Sequence, residues 1–473
     1  MLKEMHGLPI PRSAKHSLEL DTVHGDHKWR DAMAKEIGTM RDFKVFEPIH
    51  KDRILARKDG WQYAPLHWVF AVKHDLRHKA RLVIGGHVTT ADELDKYAAT
   101  TSLDGVKLQL FSTARSRKKL ISGDVGSAYL HSYTKEKIWT TLGPEFGEEA
   151  GRAKVVKSLY GLITSAHAWY EVFTTTIRNF GFIPRKIMPC LWYMPAKDGE
   201  SYDYLSHHVD DFLHTSDEYS KFLEHLRKEY TVTGGEFPDV HLGMNIKRCE
   251  DGKIILSCHD YISQAIERIK KLVGKDSLKS YDSVTKDNWE PELDDSPLLD
   301  EEGKKLFQRL IGIGIWLVCI GRFDIHFPIN QLSRFTQAPR QGHVDDALRV
   351  FGFLQKWQNR GVATAGKPTV AFWDQLDSRK VMYPGSMKDY YPDSVFEDLK
   401  DPPEPKGDSV EVNIFVDASH ADDKLDRKSV TGILVYVGDM LIKSVSKRQK
   451  SVATSTFTLE FLALKSAIVE AQV

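Results

Sequence analysis

The sequence predicts an α+β protein of more than one domain, on three observations. A chain of 473 residues exceeds one ordinary core and suggests about three domains. An apolar content of 41% is enough to fill such cores, which excludes a disordered chain. Short apolar runs with strand character alternate with stripes at helical spacing along the whole sequence.

Taken in order, WRDAMAKEI (Trp29 to Ile37) reads as an amphipathic helix, and WVFAVK (Trp68 to Lys73) and ARLVI (Ala80 to Ile84) as two strands. The segment from Lys51 to His87 is basic, carrying Lys51, Arg53, Arg57, Lys58, Lys73, Arg77, Lys79 and Arg81 against Asp52, Asp59 and Asp75. It fits either a charged surface sheet or a phosphate-facing one. Leu120 and Ile121 end a short strand with Asp124 at its tip, and a helix is expected to begin over Ser127 to His131. KSLYGLITSAHAWYEVF reads as a turn leading into a helix that carries Trp169 and Tyr170. In Tyr261 to Val273, Ile262, Ile266, Ile269 and Val273 form one stripe, with Arg268, Lys270 and Lys271 off it. The acidic, Pro-containing Thr285 to Gly303 suggests a linker, Leu306 to Trp357 looks helical, and Pro384 to Asp408 looks irregular. Three strands (Val410 to Val416, Gly432 to Val437, Met440 to Val445) and a helix from about Thr458 follow.

Net charge is zero, so a nucleic-acid binder would have to segregate its charge. The four cysteines (Cys190, Cys249, Cys258, Cys319) show no CxxC spacing, which indicates neither a zinc knuckle nor a disulfide framework and fits a reducing compartment. The start MLKEMHGLPIPRSAK lacks an apolar signal-peptide core, and the longest apolar run, LIGIGIWLVCI, is too short to span a bilayer. A soluble protein with no membrane partner is expected. His74 and His78 lie four apart in a polar turn without a third ligand and read as surface residues.

The string YLSHHVDDFLHTS holds the feature with the most chemistry. Asp210 and Asp211 are flanked by apolar residues on both sides, which reads as strand, acidic turn, strand. The other acidic pairs, Asp294-Asp295, Asp345-Asp346 and Asp422-Asp423, lack such flanks. Two carboxylates at a hairpin tip can hold a divalent cation above a sheet, although a solvated turn has the same look. Asp124, in GDVGSAYL, supplies a third carboxylate from a separate strand end, and Tyr129 follows five residues later.

Twelve strings in order resemble one family: WRDAMAKE, WVFAVK, KARLVIGGH, GDVGSAYLH, EKIWTTLGPEFG, KSLYGL, HVDD, HLGMNI, DYISQAIERI, RFDIHFPINQLSRF, VDASHADDKLDRKSVTG and KRQKSVATSTFTLEFLAL. The chain is similar to the reverse transcriptase and RNase H region of copia-type LTR retrotransposon polyproteins. That resemblance implies a right-hand polymerase fold (fingers, palm, thumb), then a helical connection and an incomplete RNase H-like α/β domain. The implied segments are a helical lead-in (1–45), fingers and palm (46–248), a thumb-like segment (249–283), an acidic linker (284–305), the connection (306–365), an irregular insertion (366–409) and the RNase H-like part (410–473).

By the same resemblance, Asp124, Asp210 and Asp211 match the catalytic, metal-binding carboxylates for two Mg2+ ions, or Mn2+ in their place. Tyr129 matches the aromatic gate that favours dNTPs. Lys79 and Arg81 fall where basic side chains meet the triphosphate, with the choice between them open. LGMNI (Leu242 to Ile246) is similar to the primer-grip region. Asp417 and Glu460 match the first two RNase H carboxylates, in a nuclease site expected to be incomplete and inactive, in a domain only partly folded. The implied activity is RNA-directed DNA synthesis, with RNA template, DNA primer, RNA–DNA hybrid and dNTPs as partners. Three departures stand out: His208 where the family has Tyr, Thr164 where relatives carry a nucleotide-contacting Gln or a small residue, and Met188 in place of an Asp. They leave open a decayed remnant that at most binds nucleic acid; a nuclease acting through Asp417 and Glu460 is a third reading.

Overall fold

The computed structural model describes residues 4–5, 7–50, 59–73, 75–91, 94, 96–185, 188–364, 404–421 and 423–471. Of the residues singled out above, Lys51, Asp52, Arg53, Arg57, Lys58, His74 and Asp422 lie outside these, as do residues 366–403 of the expected insertion.

Helix α1 (Lys28–Asp42) buries Trp29, Met33, Ile37 and Met40, one stripe at helical spacing. It packs on a hairpin of β1 (Leu66–Val72) and β2 (His78–Ile84), paired with Ala71 opposite Lys79 and Val69 opposite Arg81. His78 is no free surface residue, because its ring meets the Trp29 indole at 4.3 Å.

Helix α2 (Leu103–Ser116) starts where the Ser102 hydroxyl accepts from the Gly105 N–H at 3.0 Å. Strand β3 (Leu120–Val125) follows, then helix α3 (Ser165–Phe180) and strands β4 (Ile183–Pro184), β5 (Leu191–Pro195), β6 (Tyr202–His208) and β7 (Asp211–Thr215). Helix α4 (Tyr219–Arg227) leads into β8 (Val232–Glu236). These strands form one six-stranded antiparallel sheet in the order β4-β5-β6-β7-β3-β8. Side-chain alternation sorts its two faces. Leu120 and Leu213 join Val106 and Leu110 of α2, whereas their neighbours Ile121 and Phe212 join Trp169, Phe173 and Phe222 of α3 and α4. A sheet covered on both faces leaves only its strand ends and turns for chemistry.

Strands β9 (Met244–Arg248) and β10 (Ile254–Ser257) lie in a second sheet between Val240–His241 and Gly361–Ala363. Four helices follow: α5 (His259–Val273), α6 (Glu301–Ile320), α7 (His326–Ser333) and α8 (Gln341–Lys356). Ile262, Ile266 and Ile269 of α5 are buried against them, as the stripe implied. Among the described residues no helix is long and apolar enough to cross a membrane.

The chain closes with a three-stranded antiparallel sheet, β11 (Val412–Ala418), β12 (Val430–Val437) and β13 (Met440–Arg448), and helix α9 (Thr456–Ala471). Expected to be only partly folded, this part pairs β11 with β12 from Val412 to Ala418 and β12 with β13 from Val430 to Arg448, with one register shift between Val435 and Tyr436. Helix α9 sets Leu459, Ala463 and Ala467 against the sheet.

Two local expectations are corrected. Ser127 to His131 do not open an α-helix: Ser127 sits at φ 54° and only the single 3-10 turn Ala128–His131 forms. The acidic stretch 284–305 is not a free linker. The Trp289 indole donates to Asp346 of α8 at 2.7 Å, the Gly342 N–H donates to the Ser296 hydroxyl at 2.8 Å, and Val284, Trp289 and Leu299 pack on the main core.

Candidate active site

Strands β6 and β7 join through a two-residue turn, since His208 pairs directly with Asp211 and only Val209 and Asp210 lie between them. Val209 takes φ 61°, a left-handed conformation that a β-branched residue rarely adopts. Its carbonyl accepts from the Trp169 indole N–H at 2.8 Å, so α3 holds the strained turn in place. One strand over, Asp124 pairs with Asp211, and the Val125 N–H donates to the Asp210 carbonyl at 2.9 Å. Asp124, distant in sequence from the adjacent Asp210 and Asp211, thus arrives with them at one end of one sheet. Gly123 makes room beneath them: a Cβ there would lie 2.3 Å from the Phe212 ring.

Their electrostatics confirm that they share a field. Asp211 is open to solvent on one side, yet the surrounding protein and then the charges of Asp210 and Asp124 push its pKa up to about 6. Asp124 is also raised, first by burial and then by Asp210, with Lys79 pulling the other way. Carboxylates that repel each other at a cleft mouth are a donor set suited to hard cations. As they stand they share a face without forming a cage: among the described residues no three His, Cys, Asp or Glu side chains are close enough together to hold a metal ion. The donor chemistry fits such an ion.

Strand β2 faces this tip with its cations. Burial lowers the Lys79 pKa first of all, and Asp124 is among the charges that act on it. The Arg81 guanidinium lies over the Tyr160 ring, 5.0 Å from its centroid. The Tyr129 ring meets the same Tyr160 edge-on at 4.9 Å. Burial and then the Asp210 charge raise the Tyr129 phenol, which places this ring in the carboxylate field as well. The charges of Lys79 and Arg81 thus act on Asp124, and that of Asp210 on Tyr129. Tyr160 and Trp169 were not assigned a role from the sequence, although KSLYGL, with a glycine after the aromatic, was a visible signal.

Thr164 is elsewhere in function: it is buried and donates to Glu136 through its N–H (2.9 Å) and its hydroxyl (2.7 Å), so it does not face the cleft. At the other end of the chain, Asp417 precedes Ala418 and Glu460 follows Leu459, and Ala418 and Leu459 pack together. Both acids sit at one sheet–helix junction, away from the first cluster.

Residues 53–277 match the reverse transcriptase (RNA-dependent DNA polymerase) family. The Retrovirus-related Pol polyprotein from transposon RE1 of Arabidopsis thaliana is 24% identical over 98% of this chain. Over residues 53–277 this chain resembles a copia-type reverse transcriptase. A putative transposon Ty5-1 protein of Saccharomyces cerevisiae is 28% identical over 49% of this chain and 74% of its own length. The Pol polyprotein from transposon TNT 1-94 of Nicotiana tabacum is 24% identical over 84%. The chain spans 28% of the length of the RE1 and TNT 1-94 polyproteins. Among solved structures, a foamy viral protease-reverse transcriptase in complex with double-stranded DNA matches with a TM-score of 0.51 at 12% identity, over 94% of this chain and 61% of that one. The chain therefore shares the polymerase fold of that structure.

Proposed function

We propose that this chain is an RNA-directed DNA polymerase acting from a copia-type retrotransposon polyprotein. The observation that carries the reading is the cross-strand pairing of Asp124 with Asp211 beside the Asp210 turn. In this reading the six-stranded sheet is the palm, the β1–β2 hairpin the fingers, α5 the thumb, α6 to α8 the connection, and β11 to β13 with α9 an RNase H-like module. The domain limits stated from the sequence stand as part of the proposal, with 284–305 docked rather than free.

Asp124, Asp210 and Asp211 would ligate two divalent cations, Mg2+ by preference. Bound there, they supply Lewis acidity at the attacked α-phosphate and at the leaving pyrophosphate. The chain's own groups do the rest. Lys79 and Arg81 set positive charge where the triphosphate lies. The Tyr129 ring stands where a ribose 2′-hydroxyl would collide. The basic flank of α5 (Arg268, Lys270, Lys271) can follow the backbone of a template–primer duplex by charge and shape. The foamy viral neighbour, solved with double-stranded DNA, supports a duplex in this cleft.

Primer extension on poly(rA)/oligo(dT) tests the reading. Magnesium-dependent incorporation of dTTP that stops on chelation is expected; retained duplex binding without any extension would favour the decayed remnant. The half-buried His208 motivates that second reading, since it stands opposite Asp211 with an imidazole where the family has a phenol. A gate at Tyr129 makes a further prediction. Tyr129→Val should admit ribonucleotides, lowering dTTP-over-UTP discrimination by about a hundredfold, the scale of steric and polar selection in a closed pocket. Unchanged discrimination would remove Tyr129 from the nucleotide site. Hydrolysis of an RNA–DNA hybrid, lost in Asp417→Asn, would instead favour a nuclease acting through Asp417 and Glu460.

A further inference from the structure

We infer that Tyr160 is a positioning residue for the incoming nucleotide, its ring being the platform that fixes Arg81 and backs Tyr129, so that one side chain sets both the charge clamp and the sugar gate. The inference rests on the polymerase reading above. Arg81 lies over the Tyr160 ring at 5.0 Å and Tyr129 meets that ring at 4.9 Å with 64° between the planes. A cation over an aromatic face and a tilted ring pair are both favourable arrangements, and here they share one ring. Ring and cation cannot drift apart, because their backbones are stitched together. The Ile84 N–H, at the end of the strand that carries Arg81, donates to the Tyr160 carbonyl at 2.8 Å. Gly161, at φ 98°, has no room for a side chain: a Cβ there would lie 2.0 Å from the Ile84 carbonyl oxygen. A Cβ on Gly86 would in turn lie 2.1 Å from the Gly161 carbonyl oxygen. This backbone-on-backbone contact joins the hairpin that bears Lys79 and Arg81 to the loop just before α3. Burial raises the Tyr160 phenol first of all, with the Arg81 charge pulling the other way.

Without the ring, Arg81 loses its resting place and Tyr129 its backing together. Two parameters should therefore move at once, which a merely structural residue would not produce. Steady-state primer extension with dTTP and with UTP is compared for the wild-type chain, Tyr160→Leu, Tyr160→Phe and Arg81→Lys. Tyr160→Leu is expected to raise the dTTP KM about tenfold, equivalent to about 1.4 kcal/mol, with kcat little changed, and to weaken dTTP-over-UTP discrimination. Tyr160→Phe keeps the ring and is expected to restore both. Arg81→Lys keeps charge but loses the planar stack, and should raise KM while leaving discrimination in place. The inference is overturned if Tyr160→Leu moves neither parameter, or if Tyr160→Phe is as impaired as Tyr160→Leu. If Tyr160→Leu does not fold, a wild-type dTTP KM in Arg81→Lys overturns it. If the wild-type chain extends no primer, the polymerase reading is what fails; equilibrium binding of dTTP then decides on Tyr160, and equal affinities in wild-type and Tyr160→Leu chains reject it.

Discussion

Asp211→Asn is expected to abolish primer extension, by about a thousandfold or more, and at the same time to raise the melting temperature of the metal-free protein. The first effect follows from removing one anionic ligand from a three-carboxylate set that must neutralise a triphosphate; on the order of 4 kcal/mol of transition-state stabilisation corresponds to that factor. The second follows from the repulsion already present. Asp211 is shifted from an ordinary 3.8 up to about 6 by burial, Asp210 and Asp124. The folded chain therefore holds this proton more tightly than the unfolded one. Metal-free stability should fall as pH rises from about 4 to about 6, and stay low above that. Solvent on the open side of Asp211 screens the effect, so its size at neutral pH is on the order of 1 kcal/mol. For a chain of this length that is a rise of about 1–2 °C in Asp211→Asn. Melting curves in EDTA and extension assays in magnesium read the two arms separately. A variant that melts lower than wild type, or that still extends primer, contradicts the shared-field geometry.

How far the sequence discloses this site depends on which interactions are local. The acidic hairpin was legible because apolar residues on both sides of Asp210 and Asp211 read as strand, tight turn, strand. Its fine register was not: Asp211 belongs to β7 and only Val209 and Asp210 turn, because Trp169, forty residues away, holds the Val209 carbonyl. Asp124 was legible through ordered resemblance, and the sheet places it directly opposite Asp211. The 3-10 turn at Ala128–His131 escaped, since it follows from a left-handed Ser127 that no propensity favours. The 284–305 stretch misled through composition. Its Asp, Glu and Pro content reads as a linker, yet a few anchors (Val284, Trp289, Leu299) outweigh that content once α8 offers them a surface. For Tyr160 the only local signal was the glycine that follows it in KSLYGL. Its role arises where Gly161 and Gly86 permit two backbones to touch, a contact between segments about 75 residues apart that hydrophobic spacing cannot register.

Removing residues 404–473 is expected to unfold or aggregate the remaining chain rather than yield a free-standing polymerase. Resemblance places an accessory nuclease-like module there, which would make it dispensable for DNA synthesis. The packing argues otherwise. Met440, Leu441 and Ile442 of β13 are buried in the same core as Val106 and Leu110 of α2 and Leu317 of α6. Burying three such side chains contributes roughly 5–8 kcal/mol, against a typical total stability of about 5–15 kcal/mol. Polar pairing across the same seam would be lost as well. The buried Lys107 ammonium donates to the Ile442 carbonyl at 2.9 Å, Asn330 donates to the Ser446 carbonyl at 2.7 Å, and Arg334 pairs with the buried Asp423. Chains 1–403 and 1–473 should therefore differ sharply in soluble yield, thermal melting and resistance to limited proteolysis. Leu441→Asp in the full chain should reproduce much of the loss without changing its length, by placing a charge in that core. If 1–403 melts within a few degrees of the full chain and extends primer equally well, β13 is an ornament on the polymerase core and its burial has been misjudged.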